Sequence, residues 1–222
     1  MAVNETSFLP SSVSEIPNWF TSFAFPWAID KITHVAPRIQ EIILAPIIQT
    51  EMLWAVIPLL ATLLLMTFYF GAHKGESLGW NTAFGNSMVL IFTSINLLQH
   101  LYGNISLDSL AFNEKTLIAL ALMGEGFFLM FIDFFHFVPE KVAFYISSPL
   151  HVNLLAILGV IIVYSETIGL DFLTIFAVIL IYVVVGVGLH LFKFFIPSTK
   201  AHIEKVTQHS YLELEKPGID DK

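Results

Sequence analysis

The sequence predicts an all-α fold: a polytopic transmembrane helical bundle of about five spans, preceded by an interfacial amphipathic helix. Three observations carry this. Five long apolar stretches occupy residues 52–72, 83–102, 116–138, 149–164 and 172–195. Most reach or approach the ~20 residues that a helix needs to cross ~30 Å of hydrocarbon. The chain is 56% hydrophobic and only 13% charged, and its mean hydropathy is +0.76. That charged share is about half the ordinary globular value.

The segments divide the 222 residues into four parts. Residues 1–15 form a polar N-terminal segment without Lys, Arg or an apolar core, so they do not read as a secretory signal. Residues 16–50 form an interfacial segment. Trp19, Phe20, Phe23, Phe25 and Trp27 open it, and amphipathic aromatics favour the headgroup region. Ile32, Val35, Ile39, Ile42, Ile43 and Ile47 then recur at helical spacing, with Asp30, His34, Arg38 and Glu41 between them. This pattern fits a helix lying in the interface or packed on the bundle's surface. Pro37 suits a first-turn position, and Pro46 is expected to kink or end the helix before the first span.

Residues 51–196 form the transmembrane domain. Span 1 is almost purely aliphatic, with Trp54 and Tyr69 towards its ends. Gly75, Gly79 and Trp80 fit a turn at the membrane surface. Span 2 is the most polar, span 4 is short, and Pro197 ends span 5. Residues 197–222 are a charged tail.

Orientation follows from basic residues. Lys31, Arg38 and Lys115 fall on one side, and Lys74, Lys141, Lys193, Lys200 and Lys205 on the other. The excess places the C-terminus in the cytoplasm and the N-terminus outside, in a multi-pass protein of the cell membrane. The sequons beginning at Asn4 and Asn104 both fall on the expected outer side.

Several function classes are disfavoured. A net charge of −8 argues against a nucleic-acid surface. With no cysteine there are no disulfides or thiolate sites. The chain carries no G-x-S-x-G, H-E-x-x-H, P-loop or TVGYG-like filter, and no arginine-rich span. It identifies no cofactor.

Polar groups at membrane depth are the remaining pointers, because each costs at least ~2.5–3.5 kcal/mol on insertion scales. Span 3 carries Glu125, Asp133 and His136. On a continuous helix Asp133 lies about 80° and His136 about 20° around from Glu125. Gly124 and Gly126 flank Glu125 and suit close helix approach. Span 2 carries Asn86, Thr93, Asn96 and His100 within about 80° of one another. The economical packing sets this stripe against the acidic face of span 3. It serves either as an ion path or as a closed hydrogen-bond network fixing helix register. His73, His136, His151, His190 and Asp133 are all expected near the cytoplasmic face, where imidazoles and a carboxylate are suitable ligands for a metal or haem iron.

Three readings follow. The leading one is passage of protons or small cations through a homo-oligomer, with Glu125 as the titrating group. In it Asp133 and His136 form the cytoplasmic relay, and Asn86, Thr93 and Asn96 the polar wall. The second is a non-catalytic scaffold or accessory subunit of a larger membrane complex. The third is a metal-dependent membrane enzyme using the histidines. The lipid bilayer is a partner in all three.

Overall fold

The computed structural model describes residue 22 and residues 25–103 and 112–197. The described residues are all helical or in turns, without a strand. Seven α-helices follow in order: α1 (Phe25–Ile48), α2 (Leu53–Ala72), α3 (Trp80–Tyr102), α4 (Glu114–Phe135), α5 (Glu140–Ile146), α6 (Pro149–Tyr164) and α7 (Phe172–Phe195). A 3-10 turn, Thr50–Met52, joins α1 to α2.

Four units are long and apolar enough to cross a membrane: Thr50–Ala72, Glu114–Phe135, Glu140–Tyr164 and Phe172–Phe195. The first and fourth contain expected spans 1 and 5, and the second matches expected span 3 except that it stops at Phe135, three residues short of the expected end. The third joins α5 and α6, so the expected span 4 is the longer part of a broken unit. The expected span 2 is the helix α3, which is as long as the others but is not among the four.

Local sequence explains the boundaries. Asn113, Ser148 and Asp171 each accept a hydrogen bond from a first-turn amide, of Thr116, His151 and Thr174 respectively. Such caps satisfy donors that a helix start leaves open. Pro149 follows its cap at the first helical position, where a missing N–H costs nothing. Gly103 ends α3 at φ 64°, a conformation glycine adopts without strain.

α6 is the axis of the bundle. Within the most apolar 18-residue stretch of each unit, 72% of the residues are buried in the α5–α6 unit, against 33% in α4, 17% in the α2 unit and 11% in α7. Val152, Ala156, Val160 and Val163 are essentially inaccessible. α2, α3 and α4 pack around α6, and the most extensive contact of all is between α3 and α4. Gly159 and Gly126 make room for this. Leu122 of α4 fills the space where Gly159 lacks a side chain, and Gly126 seats against Leu90 and Ile91 of α3. Gly124 and Gly188 have open space instead, and Gly186 only an ordinary contact.

One expectation about α1 is corrected: the helix begins at Phe25, so Pro37 is interior rather than in the first turn. It ends at Ile48, two residues past Pro46 and before the first span. Proline deletes one backbone bond but its φ is helical. The face formed by Val35, Ile42 and Ala45 is buried in the core and offsets the lost bonds. α1 packs mainly on α7. The link is Arg38, whose guanidinium bonds Glu41 at 2.7 Å and Asp171 at 3.2 Å.

Asp171 therefore caps α7 and ties α1 to it. The neighbouring Thr174 hydroxyl, the Thr174 amide and then Arg38 hold its carboxyl below the usual carboxylate range. A lowered folded pKa gives stability that is present above the unfolded value, about 3.9, and is lost as pH falls through the folded one. The melting temperature in detergent is expected to drop as pH falls below about 4. Asp171→Asn, which keeps a capping oxygen, should flatten that acid step, and Asp171→Ala should lower stability at neutral pH as well. An unchanged acid step in Asp171→Asn would contradict this role.

Candidate functional site

Glu125 and His151, placed in separate groups by the sequence, meet in the structure. His151 Nε2 lies 3.0 Å from Glu125 Oε1, and His151 Nδ1 lies 2.6 Å from the hydroxyl of Tyr182. The three side chains join α4, α6 and α7. Glu125 and Tyr182 sit near the middle of their helices, so His151 is level with those middles. It was expected at a membrane face, and the correction has a simple cause. α5 and α6 form one membrane-length unit, broken at Ser147 and Ser148, and His151 stands just after the break.

The break is lined by polar groups. Asn86 Nδ2 donates to the carbonyl oxygen of Ser147 at 2.8 Å, satisfying an acceptor at the end of α5. Asp133 is 1% exposed, and Ser87 donates to its Oδ2 at 3.0 Å. Its Oδ1 and the buried Ser147 hydroxyl lack a well-aligned partner. Irregular backbone at membrane depth is tolerated where protein or an internal cavity surrounds it, and discontinuous helices often mark binding sites in transporters.

The acidic quadrant expected on α4 does not hold together. Glu125 turns to α6 and α7, while Asp133 turns to α3. α4 ends at Phe135, and His136 adopts the left-handed conformation at φ 56°. The angle expected for His136 assumed that the helix continued. Its ring instead lies against Trp80, with centroids 4.0 Å apart.

The stripe on α3 also divides. Asn86 serves the helix break. Thr93 is half-buried, and the exposed Asn96 accepts from the Tyr164 hydroxyl at 3.3 Å. His100 stacks on the Tyr164 ring at 3.7 Å. Ser87 and Ser94, not among the expected residues, are the hydroxyls wholly buried on this helix.

The five expected metal ligands are dispersed. His73 stacks on Tyr69 and faces its carbonyl oxygen at 3.0 Å. His190 packs edge-on against Phe194. Among the described residues no group of three His, Asp or Glu side chains comes close enough to hold a metal ion.

Two cavities flank these groups. A groove of about 820 Å³ lies between α2, α5, α6 and α7, with His151 and Tyr182 among its lining residues. A smaller, polar one of about 600 Å³ at the other end is lined in part by Glu51, His100, Lys115, Tyr164 and Glu166. Besides Ser87, Tyr182 is the site residue that sequence reasoning missed. Its signal was a phenol in the middle of an aliphatic span, which needs a hydrogen-bond partner.

No family model matches the chain, and no curated protein or solved structure is significantly similar to it.

Proposed function

We propose that this is an integral membrane protein that passes protons or small cations, working as a homo-oligomer, with Tyr182, His151 and Glu125 as its relay. The observation that carries the reading is His151, bonded through one ring nitrogen to a phenol and through the other to a carboxylate. An imidazole in that position can accept a proton on one nitrogen and release one from the other. The groove runs from Tyr182 and His151, at mid-bundle, to the end where Lys141 and Lys193 lie. Asp133, Asn86 and Ser87 line the adjoining helix break as a register-fixing network rather than as the relay.

The oligomer follows from where the rest of the path would run. The aliphatic side chains of α6 fill the axis beyond His151. Asn96 and His100 are exposed on α3, leading towards the polar cavity. A second copy against that surface would enclose them. The exposed Phe127, Phe128 and Phe131 of α4 suit lipid or such a copy equally well.

The topology is part of the proposal. α3 serves as the fifth span, since its 23 residues cover about 34 Å. α1 lies along the outer interface, the N-terminus is outside and the C-terminus is cytoplasmic. Lys74, Lys141 and Lys193 then mark the cytoplasmic end, in keeping with the positive-inside tendency.

The test is proton and cation flux into liposomes holding the purified protein, with the accessibility of tags at residues 3 and 222. Flux above that of empty liposomes, with only the residue 222 tag reachable from the cytoplasmic side in cells, is the expected result. No flux from protein shown to be inserted and assembled would overturn the reading in favour of an accessory subunit.

A further inference from the structure

The groove beside the relay has a chemistry of its own. Lys141 at the start of α5 and His190 and Lys193 near the end of α7 line it, and no carboxylate does so among the described residues. In a chain of net charge −8 this is a local reversal of sign. Further along, the walls are apolar: Met66 and Phe70 of α2 face Val183, Val187 and Leu191 of α7. The last three are about half exposed, so the groove opens sideways to the surface that meets lipid. α6 and α7 touch only sparsely along its length. Its volume of about 820 Å³ lies in the range of sites for drug-sized ligands, roughly 300–1,000 Å³, which suffices for a headgroup and one acyl chain.

We propose that this groove binds one anionic phospholipid of the surrounding bilayer. Its phosphate lies among Lys141, His190 and Lys193, and one acyl chain lies between α2 and α7, reaching towards Tyr182. The charge pattern argues for this occupant. Two lysines and a histidine at one end of an apolar slot, with no carboxylate among the described lining residues, complement a phosphate joined to a hydrocarbon tail. The lysine stems can lie along apolar surface while their ammonium groups stay at the polar end. A zwitterionic lipid would bring a choline cation into the same acid-free end and gain less. The proposal stands independently of proton passage, because it rests on the groove's shape and charge.

The test is native mass spectrometry of delipidated protein titrated with phosphatidylglycerol or with phosphatidylcholine of the same chains. The expected result is one phosphatidylglycerol retained at least about tenfold more tightly than phosphatidylcholine, a difference of about 1.4 kcal/mol. Lys141→Gln with Lys193→Gln should remove the preference, and Val187→Trp should exclude both lipids. Lys74→Gln, at the same end but outside the groove, should change nothing. Should the double variant fold poorly, Lys141→Gln alone serves, since Lys141 is exposed and its loss should at least halve the preference. Equal retention of the two lipids, or a preference untouched by Lys141→Gln, would overturn the assignment.

Discussion

Glu125→Gln and His151→Gln are each expected to lower proton flux about a hundredfold or more, the scale of losing one positioned proton-transfer group. Both substitutions keep a side chain able to hydrogen-bond across the same gap, so the links between α4, α6 and α7 need not be lost. What disappears is a group able to accept and release a proton. In the proposed relay the two residues act in series, so the double variant should be no slower than either single one. Groups that work as a unit are non-additive in this way. Tyr182→Phe should have a smaller effect, since groove water can reach His151 directly once the hydroxyl is gone. Stopped-flow measurement with a pH dye inside the liposomes, alongside melting curves for each variant, checks all four. Wild-type flux through a folded Glu125→Gln protein would remove Glu125 from the path.

Gly126→Leu is expected to prevent assembly of the bundle. A Cβ at this position would lie 2.8 Å from Ile91 Cγ1, 3.0 Å from Leu90 Cβ and 3.1 Å from the Ile91 backbone nitrogen. A side chain tip can move aside, but a backbone nitrogen moves only with its helix. Alanine alone should cost about 1–3 kcal/mol as an overpacked core does, and leucine should separate α3 from α4. Gly124→Ala is the contrast, because no atom beyond its own turn of the helix backbone lies within 4 Å of its added carbon. It should be neutral or stabilising by up to about 1 kcal/mol, since alanine is the better helix former. The readout is the yield of monodisperse protein in detergent and its melting temperature. A wild-type melting temperature for Gly126→Leu would refute the close packing of α3 on α4.

The apolar segments were legible because hydrocarbon imposes length and composition together, and the boundaries of α6 and α7 fall where the sequence puts them. Spans 2 and 3 do pack together, but not through the expected polar stripe: Gly126 seats against Leu90 and Ile91, and Ser87 rather than Asn86, Thr93 or Asn96 reaches Asp133. The α5–α6 unit was not legible. Residues 139–148 contain Pro139, Glu140, Lys141 and two serines, a composition that reads as a surface connection. The structure uses the apolar residues among them to extend the span. That shift in depth moved His151 from a membrane face to the side of Glu125. The partners of Glu125 and Asp133 depended on helix rotation. Angles about one axis say which residues share a face, but not which neighbour that face meets. His136 escaped the pattern because its helix had already ended.

The central place of α6 bears on how the molecule is made. α3 and α4 follow one another in the chain and share the largest contact in the bundle, so that pair can form as soon as both have entered the bilayer. α2 precedes them, yet its main partner is α6. Until α6 has been synthesised, α2, with its buried Leu63 and Thr67, lacks its main partner. The bundle therefore closes late, around a hub inserted after most of its spokes.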